Sequence, residues 1–374
     1  MNEVDIDVVV RGCSEELFYV STDSPPDDLL SDGLLTVEFV QRCQKTRKLT
    51  LDGRFGPNHS VLLQEVLNFR LRHLRLNLGS INTILVFYGL PGTEKLSISG
   101  LSWEESCNDC DKGFSMHERM KIVLQDLNRT LPPSKWHTGR TTLHLSRPNA
   151  PPAVIRCLLL WPALLEELQL DCLTGLFPEM RWTTAEFESL FRIHPNSPKK
   201  IHINKLPCTA KYIPDFWSLP HLEHLQLVAH DISKDSPLNA VRKLAAPNLR
   251  RLTMDYGFGL GANVNPALFG SCHLRWLKEF ISMLASELQM HILRRIRILY
   301  TPDPPTPGKG ALTAWPWRRL DEAIKAASFC GIYLTCSKPT LTKQQWEMIA
   351  AMGIPRARVF DEDDELILET ESQK

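Results

Sequence analysis

The sequence has no excess of charge of one sign and no long apolar run. Lys and Arg total 43 of the 374 residues, and Asp and Glu also total 43. No net field directs the whole chain toward nucleic acid or an anionic membrane, so we expect neither as its partner. No stretch of about 18 residues is free of charges and helix breakers, and no membrane span is therefore predicted.

The sequence also lacks the start of a secreted protein. Its first residues, MNEVDIDVVVRG, carry acids where a secretory signal has its basic segment, and their apolar run is short. The ten cysteines are scattered and mostly lie among apolar neighbours, as reduced core cysteines do. The expected location is cytoplasmic or nuclear.

Signature motifs of common enzyme classes are missing as well. The sequence contains no G-x-S-x-G elbow, H-E-x-x-H pair, Walker lysine loop or kinase signature. We therefore predict a protein that is not an enzyme and needs no cofactor. Cys107 and Cys110 have zinc-knuckle spacing, but no second pair stands at a plausible distance, so no metal site is predicted.

A short apolar-x-apolar unit, by contrast, occurs ten times along the chain. Successive units lie 22 to 47 residues apart, and the two longest spacings are close to twice the basic interval. The ten units begin at Leu49, Leu74, Leu96, Leu143, Leu168, Ile201, Leu225, Leu252, Ile296 and Ile332.

The residues around these units test whether they are strands. In a strand, the residues before, between and after an apolar pair point to the opposite face. Of these 30 positions, 27 are not hydrophobic, against about 17 expected for a chain that is 43% apolar. The exceptions are Val228, Leu299 and Tyr333. The pattern therefore predicts ten half-buried strands with one polar face.

Longer motifs around the units carry a resemblance to a known family. Leucines stand three residues before five of the units, as in WPALLEELQL at 161–170, LPHLEHLQL at 219–227 and APNLRRLTM at 246–254. Here the chain resembles leucine-rich-repeat proteins, and more narrowly the irregular repeats of fungal F-box-type proteins. The resemblance implies an α/β leucine-rich-repeat solenoid, an irregular horseshoe with parallel strands on its concave face and helices on its convex face. It also implies a protein-interaction scaffold.

The F-box itself is not evident in the sequence. Only SPPDDLLSDGLL at 24–35 faintly suggests one, and residues 1–45 offer a single predicted helix, Leu34–Gln44. We expect this segment to cap the first repeat. The resemblance implies a substrate-recognition part of a ubiquitin-ligase adaptor only if an F-box is present, and the chain as written is not expected to join a cullin-type ligase by itself.

The expected organisation has five parts. They are an N-terminal cap at 1–45, the solenoid at 46–300, a proline-rich loop at 301–317, the last repeat with a C-terminal cap at 318–360, and an acidic tail at 361–374. Helices are predicted between the strands, at 61–69, 116–127, 154–165, 185–192, 237–244 and 274–292.

A solenoid usually binds its partner on the polar, concave side of its strands. We therefore predict a protein partner there, held by Arg75, His144, Gln169, His202, Gln226, Arg251, Arg295 and Arg297. Two alternatives remain open. Gly257–Ala262 fits G-x-G-x-x-A, typical of a nucleotide-dependent enzyme, although Asn263, Asn265 and Pro266 delay the helix that such a site needs. The cluster Arg294–Arg297 is compatible with nucleic-acid binding.

Overall fold

The computed structural model describes a set of strands, helices and turns that begins at residue 7 and ends at residue 352. The residues described are 7–13, 17–22, 48–53, 71–77, 93–101, 141–146, 148, 150–160, 162, 164–171, 182–204, 213–233, 235–244, 246–256, 269–286, 292–300, 315, 317–339 and 341–352.

Twelve strands in these residues form one sheet. The sheet order is β12-β11-β10-β9-β8-β7-β6-β5-β4-β3-β1-β2, so from β3 onward each strand lies beside the next one in the chain. All pairings are parallel except that of β1 with β2. The strands are β1 Asp7–Cys13, β2 Leu17–Thr22, β3 Lys48–Gly53, β4 His73–Asn77, β5 Lys95–Ser99, β6 Thr142–Ser146, β7 Glu167–Asp171, β8 Lys200–Ile203, β9 His224–Val228, β10 Arg251–Asp255, β11 Arg295–Leu299 and β12 Tyr333–Cys336.

The strands from β4 to β11 bury the same positions. Each one buries its second and fourth residues, which are the predicted apolar pairs. Because side chains alternate along a strand, the first, third and fifth residues lie on the opposite face. The predicted strand positions and their inward pairs are confirmed for these eight strands.

Helices follow several of the strands and cover the face with the buried residues. Ile155, Phe187, Val241 and Leu277, each from a different helix, join the inward strand residues in one hydrophobic core. The helices are α1 Pro152–Leu160, α2 Thr184–Phe191, α3 Ala229–Ile232, α4 Pro237–Leu244, α5 Ser271–Ser286, α6 Arg318–Phe329 and α7 Lys343–Met352. The chain is thus an α/β protein in which a parallel sheet grows in chain order.

Four of the predicted helices match this layer. Those at 154–165, 185–192 and 274–292 correspond to α1, α2 and α5 with shifted ends, and the one at 237–244 has the same bounds as α4. The helices predicted at 34–44, 61–69 and 116–127 lie outside the described residues. Among the residues described, no helix combines the length and the apolar content that a membrane crossing needs.

A backbone ladder links the turns that precede the strands. At β9, the N–H groups of Glu223 and His224 both donate to the carbonyl of Lys199, at 2.8 and 3.0 Å. At β10, Arg250 and Arg251 repeat this arrangement on the carbonyl of Glu223, at 2.9 and 3.0 Å. The same double contact occurs on the carbonyls of Arg72, Glu94, Thr141 and Glu166. Each repeat therefore fixes the register of the next before the strand begins.

The last strand differs from the prediction in its register. The predicted unit was Ile332 with Leu334, but β12 begins at Tyr333 and places Leu334 opposite Ile296 of β11. Both residues of the predicted unit are buried, at 2% and 4% exposure, so its inward orientation is correct. Its alignment with β11 is wrong by two residues, because Ile332 lies before the strand.

Each expected terminal cap contains regular structure. Residues 1–45 include β1 and β2, which extend the sheet beyond β3 as an antiparallel hairpin. At the other end, Trp346 of α7 is buried and packs edge-on against Trp317, with ring centroids 6.1 Å apart. Of the proline-rich loop predicted at 301–317, only residues 315 and 317 are described.

Candidate binding surface

The outward residues of β3 to β12, which we call the polar face, form rows that run across the sheet. A row consists of the residues that occupy the same place on successive strands and pair in register. The first row holds Lys48, His73, Lys95, Thr142, Glu167, Lys200, His224, Arg251, Arg295 and Tyr333. The middle row holds Thr50, Arg75, Ser97, His144, Gln169, His202, Gln226, Thr253, Arg297 and Thr335.

Charge is distributed unevenly between the rows. The first row, at the strand starts, contains five lysines and arginines and one acid, Glu167. At the strand ends, the fifth residues of β4 to β7 and of β9 to β11 contain Asp171 and Asp255 and no cation. A neutral chain therefore presents a face that is basic along the strand starts and acidic to neutral along the strand ends.

The predicted binding residues fall into three groups on this face. The four residues from His144 to Gln226 in the middle row are neighbours on β6, β7, β8 and β9. Arg251, Arg295 and Arg297 come together on β10 and β11, where Arg251 lies directly opposite Arg295. Arg75 lies apart on β4, two strands from His144. The predicted residues therefore share one face of the sheet and lie in three separate groups on it.

Asp171 is the centre of a hydrogen-bond network across β6, β7 and the residue after β8. His144 Nε2 lies 2.6 Å from Asp171 Oδ2, and Asn204 Nδ2 donates to Oδ1 at 2.5 Å. Gln169 Nε2 also donates to the carboxylate, at 3.3 Å. The side chain of Asp171 is only 13% exposed. Charge-assisted hydrogen bonds to a mostly buried carboxylate are among the stronger polar contacts, so this network stiffens the middle of the polar face.

A histidine bound to an aspartate is also the arrangement that orients a catalytic base. Ser97 lies directly across from His144 in register, yet its hydroxyl makes no hydrogen bond to the imidazole within the described part of the chain. Asp171 is shared with two amide groups as well. These contacts favour a structural network.

Two histidines of the polar face have lowered pKa values. Burial lowers the pKa of His202 below its ordinary 6.5, against the opposing attraction of Glu167. Burial also lowers the pKa of His224, and the neighbouring charges of Arg251 and Lys200 lower it further. At both positions the surroundings therefore favour the neutral imidazole over the charged one.

The cations of the face differ in whether a carboxylate balances them. Lys200 Nζ lies 3.5 Å from Glu167 Oε2, its register partner on β7. In contrast, Arg251, Arg295 and Arg297 have no ion pair and no side-chain hydrogen bond within the residues that the structure describes. Arginines that lie directly opposite each other on neighbouring strands repel, and this repulsion destabilises the folded protein when no partner is bound. The β10–β11 end of the face therefore presents uncompensated positive charge.

Sequence reasoning missed several residues that the structure brings together. Asp171 and Asn204 were recognised as outward residues but not as a network, and Lys48, His73 and Lys95 were not among the predicted site residues. The signal was present in the repeat alignment, because reading the first position of each unit in order gives the basic row directly. The alignment alone did not show which outward side chains contact each other, and the Asp171 network was therefore missed.

Other sequence predictions cannot be compared with the structure. Gly257–Ala262, the candidate nucleotide turn, lies outside the described residues, and so do Cys107 and Cys110. Within the described ranges, no group of three or more His, Cys, Asp or Glu side chains is placed to hold a metal ion. No protein-family model matches the chain, and no curated protein matches it either.

Proposed function

We propose that this chain is a leucine-rich-repeat binding module without catalytic activity, which holds a protein partner on the polar face of its sheet. The supporting features are the repeat motifs, the sequential parallel sheet and the polarised face. The face would be the concave side of the solenoid. A role as the substrate-reading part of a ubiquitin-ligase adaptor belongs to the same proposal and needs an F-box.

The observation that carries the proposal is the uncompensated charge at β10 and β11. Arg251, Arg295 and Arg297 are exposed, adjacent and without a carboxylate partner among the described residues. Guanidinium groups bind carboxylates through two parallel hydrogen bonds, and they are more weakly hydrated than ammonium groups. An acidic segment of a partner protein would satisfy all three and remove their mutual repulsion.

The test compares charge reversal on the polar face with charge reversal elsewhere. The face variant is Arg251→Glu/Arg295→Glu/Arg297→Glu. The control variant is Arg156→Glu/Arg242→Glu/Arg275→Glu, which changes exposed arginines of α1, α4 and α5 by the same total charge. Each tagged protein is used for affinity purification with and without nuclease treatment. Captured proteins are quantified by mass spectrometry, and captured nucleic acid is quantified separately.

We expect a protein captured by the natural chain and by the control variant to be lost from the face variant. Direct titration of that purified partner should show the same ranking, with the affinity falling as salt rises. A partner retained equally by both variants would refute the proposed surface. Recovery of nucleic acid in place of a protein, abolished by nuclease, would favour the alternative nucleic-acid binder.

The ligase role is tested separately. A pull-down of the full chain against a ligase adaptor subunit is compared with a chain that lacks residues 1–45. We expect no binding by either. Binding by the full chain that is lost on this deletion would show that a cryptic F-box lies in the first 45 residues.

A further inference from the structure

A second basic site lies at the other end of the polar face. A depression of about 390 Å³ opens over β3, β4, β5 and the adjoining part of β6. No carboxylate stands among its described lining residues, and its polar wall consists of Lys48, Thr50, His73, Arg75, Lys95, Ser97 and His144. Two of these seven, Arg75 and His144, were predicted from the sequence to contact a partner.

The sheet register explains why cations converge there. Lys48, His73 and Lys95 are consecutive members of the first row, and Thr50, Arg75 and Ser97 are the corresponding members of the middle row. Strands lie about 4.8 Å apart and residues of one face about 6.6 Å apart along a strand. His73 therefore lies between two lysines whose Cα atoms are about 10 Å apart. Arg75 lies two residues further along the same strand, between the hydroxyl residues Thr50 and Ser97.

Two cations of the depression, Arg75 and Lys95, have no carboxylate partner within the described residues. Arg75 and Lys95 make no ion pair or side-chain hydrogen bond in this part of the chain. The neighbouring carboxylate of Glu94 instead lies 3.8 Å from the guanidinium of Arg72, outside the lining. Two strands beyond β5, the same first row pairs Glu167 with Lys200. The first row thus contains an ion pair in the middle of the sheet, whereas Arg75 and Lys95 at this depression have none within the described residues.

We propose that this depression is a binding site for a phosphate monoester. Arg75 and Lys95 supply two positive charges, which match a dianion better than a single carboxylate, and the arginine fork suits a tetrahedral oxyanion. The hydroxyls of Thr50 and Ser97 supply donors beside Arg75. The space exceeds that of one phosphoryl group, so it also accommodates the group that carries the phosphate. The phosphate is either a small soluble ester or a phosphorylated side chain of a protein.

This site is independent of the arginines proposed to hold the protein partner. Five strand intervals separate Lys95 on β5 from Arg251 on β10, about 24 Å along the sheet. A variant of the depression therefore leaves the β10–β11 arginines intact. Failure at one site does not imply failure at the other.

The test uses isothermal titration of the full chain with two kinds of probe. The small probe is O-phosphoserine, and the peptide probe is an eight-residue Gly-Ala peptide with one central phosphoserine. The unphosphorylated peptide and a glutamate version serve as ligand controls. The site variant is Arg75→Ala/Lys95→Ala, and the matched control is Arg72→Ala/Glu94→Ala, which removes the exposed pair beside the depression.

We expect phosphorylated probes to bind the natural chain and the control variant, and to bind the site variant at least about tenfold more weakly. Similar affinity for both phosphorylated probes would assign the site to small esters, whereas about tenfold tighter peptide binding would assign it to phosphorylated proteins. Because the site variant loses like-charge repulsion, its melting temperature at low salt should not fall. Equal affinity of the site variant, or equal binding of the glutamate peptide, would overturn the proposal.

Discussion

Replacing Leu225 with alanine tests the register of the whole sheet. Leu225 is the second residue of β9, is 1% exposed, and lies between Ile201 of β8 and Leu252 of β10. Both neighbours are held by backbone pairing, so the site cannot collapse fully around the smaller side chain. Leucine-to-alanine changes in such positions cost about 2 to 5 kcal/mol. The fixed neighbours on both sides favour the upper half of that range.

The preceding residue supplies the control. His224 points to the polar face, is partly exposed, and makes no ion pair within the described residues. Its replacement by alanine should change the free energy of unfolding by no more than about 0.5 kcal/mol. Two substitutions one residue apart should therefore differ by a factor of at least about ten in the unfolding equilibrium.

The assay is urea denaturation followed by circular dichroism and by tryptophan fluorescence. Repeat proteins unfold with limited cooperativity, so both signals are compared before a single free energy is assigned. The Leu225→Ala transition should move to clearly lower urea than that of His224→Ala. Equal midpoints for the two variants would refute the alternation of buried and outward residues on which every site described above depends.

Three further perturbations test the polar face and the helical layer. Asp171→Ala should destabilise the protein by about 1 to 3 kcal/mol in denaturation, because it leaves the bonds of His144 and Asn204 unmade, and Asp171→Asn should cost less. Burial lowers the pKa of His202; Lys200 and His144 lower it further, and Glu167 and Asp171 oppose the shift, so the unfolded chain binds a proton at this residue more readily than the folded protein. The free energy of unfolding should therefore fall as the pH drops from 7 through 6.5, the ordinary pKa of histidine, toward the lower pKa of His202 in the folded protein. His202→Gln should flatten this decrease. An unchanged dependence of stability on pH would contradict its assignment to His202. Thr183→Ala removes the hydroxyl that accepts from the backbone N–H of Glu186 and donates to its carboxylate at the start of α2, while the backbone N–H of residue 183 can still donate to Glu186. This substitution should cost about 1 kcal/mol, whereas Ser189→Ala should cost less.

The strands could be predicted because one face of the sheet is exposed to solvent and the other is buried. Alternation with a period of two survives in the sequence only where one face is buried, and β4 to β11 all satisfy that condition. The same rule explains the error at β12. Ile332, Leu334 and Cys336 are all apolar at alternate positions, so the pattern allows two registers, and only the pairing of Leu334 with Ile296 selects one.

Helix ends were harder to predict because a stripe of apolar residues does not mark where a helix stops. The first helix was expected to continue to Leu165, but α1 ends at Leu160. Pro162 explains the difference, because proline cannot donate to the preceding turn and restricts the residue before it. Pro162 is buried next to the strand that follows, so the chain uses it to leave the helix and enter β7.

The polar network could not be predicted from the alignment alone. The alternation identifies Asp171, Gln169 and Asn204 as outward positions, but Asn204 follows the last residue of β8 and lies outside the strand. Whether its amide reaches Asp171 depends on how the chain leaves the strand, which the alternation does not contain. The row of cations at the strand starts, in contrast, can be predicted from the strand order alone. The basic depression was therefore within reach of the sequence, and the aspartate network was not.

Strand order also determines how the two basic sites affect each other. In a sheet that grows in chain order, distance along the sheet increases by about 4.8 Å with each repeat, so residues 95 and 251 cannot share a small ligand. The Asp171 network and the balanced Glu167–Lys200 pair lie between them. Substitutions more than about 10 Å apart without shared partners are usually additive. The effects of Arg75→Ala/Lys95→Ala and of the β10–β11 charge reversal on thermal stability should therefore sum. A clear departure from additivity would show that the stiff middle of the face couples the two ends.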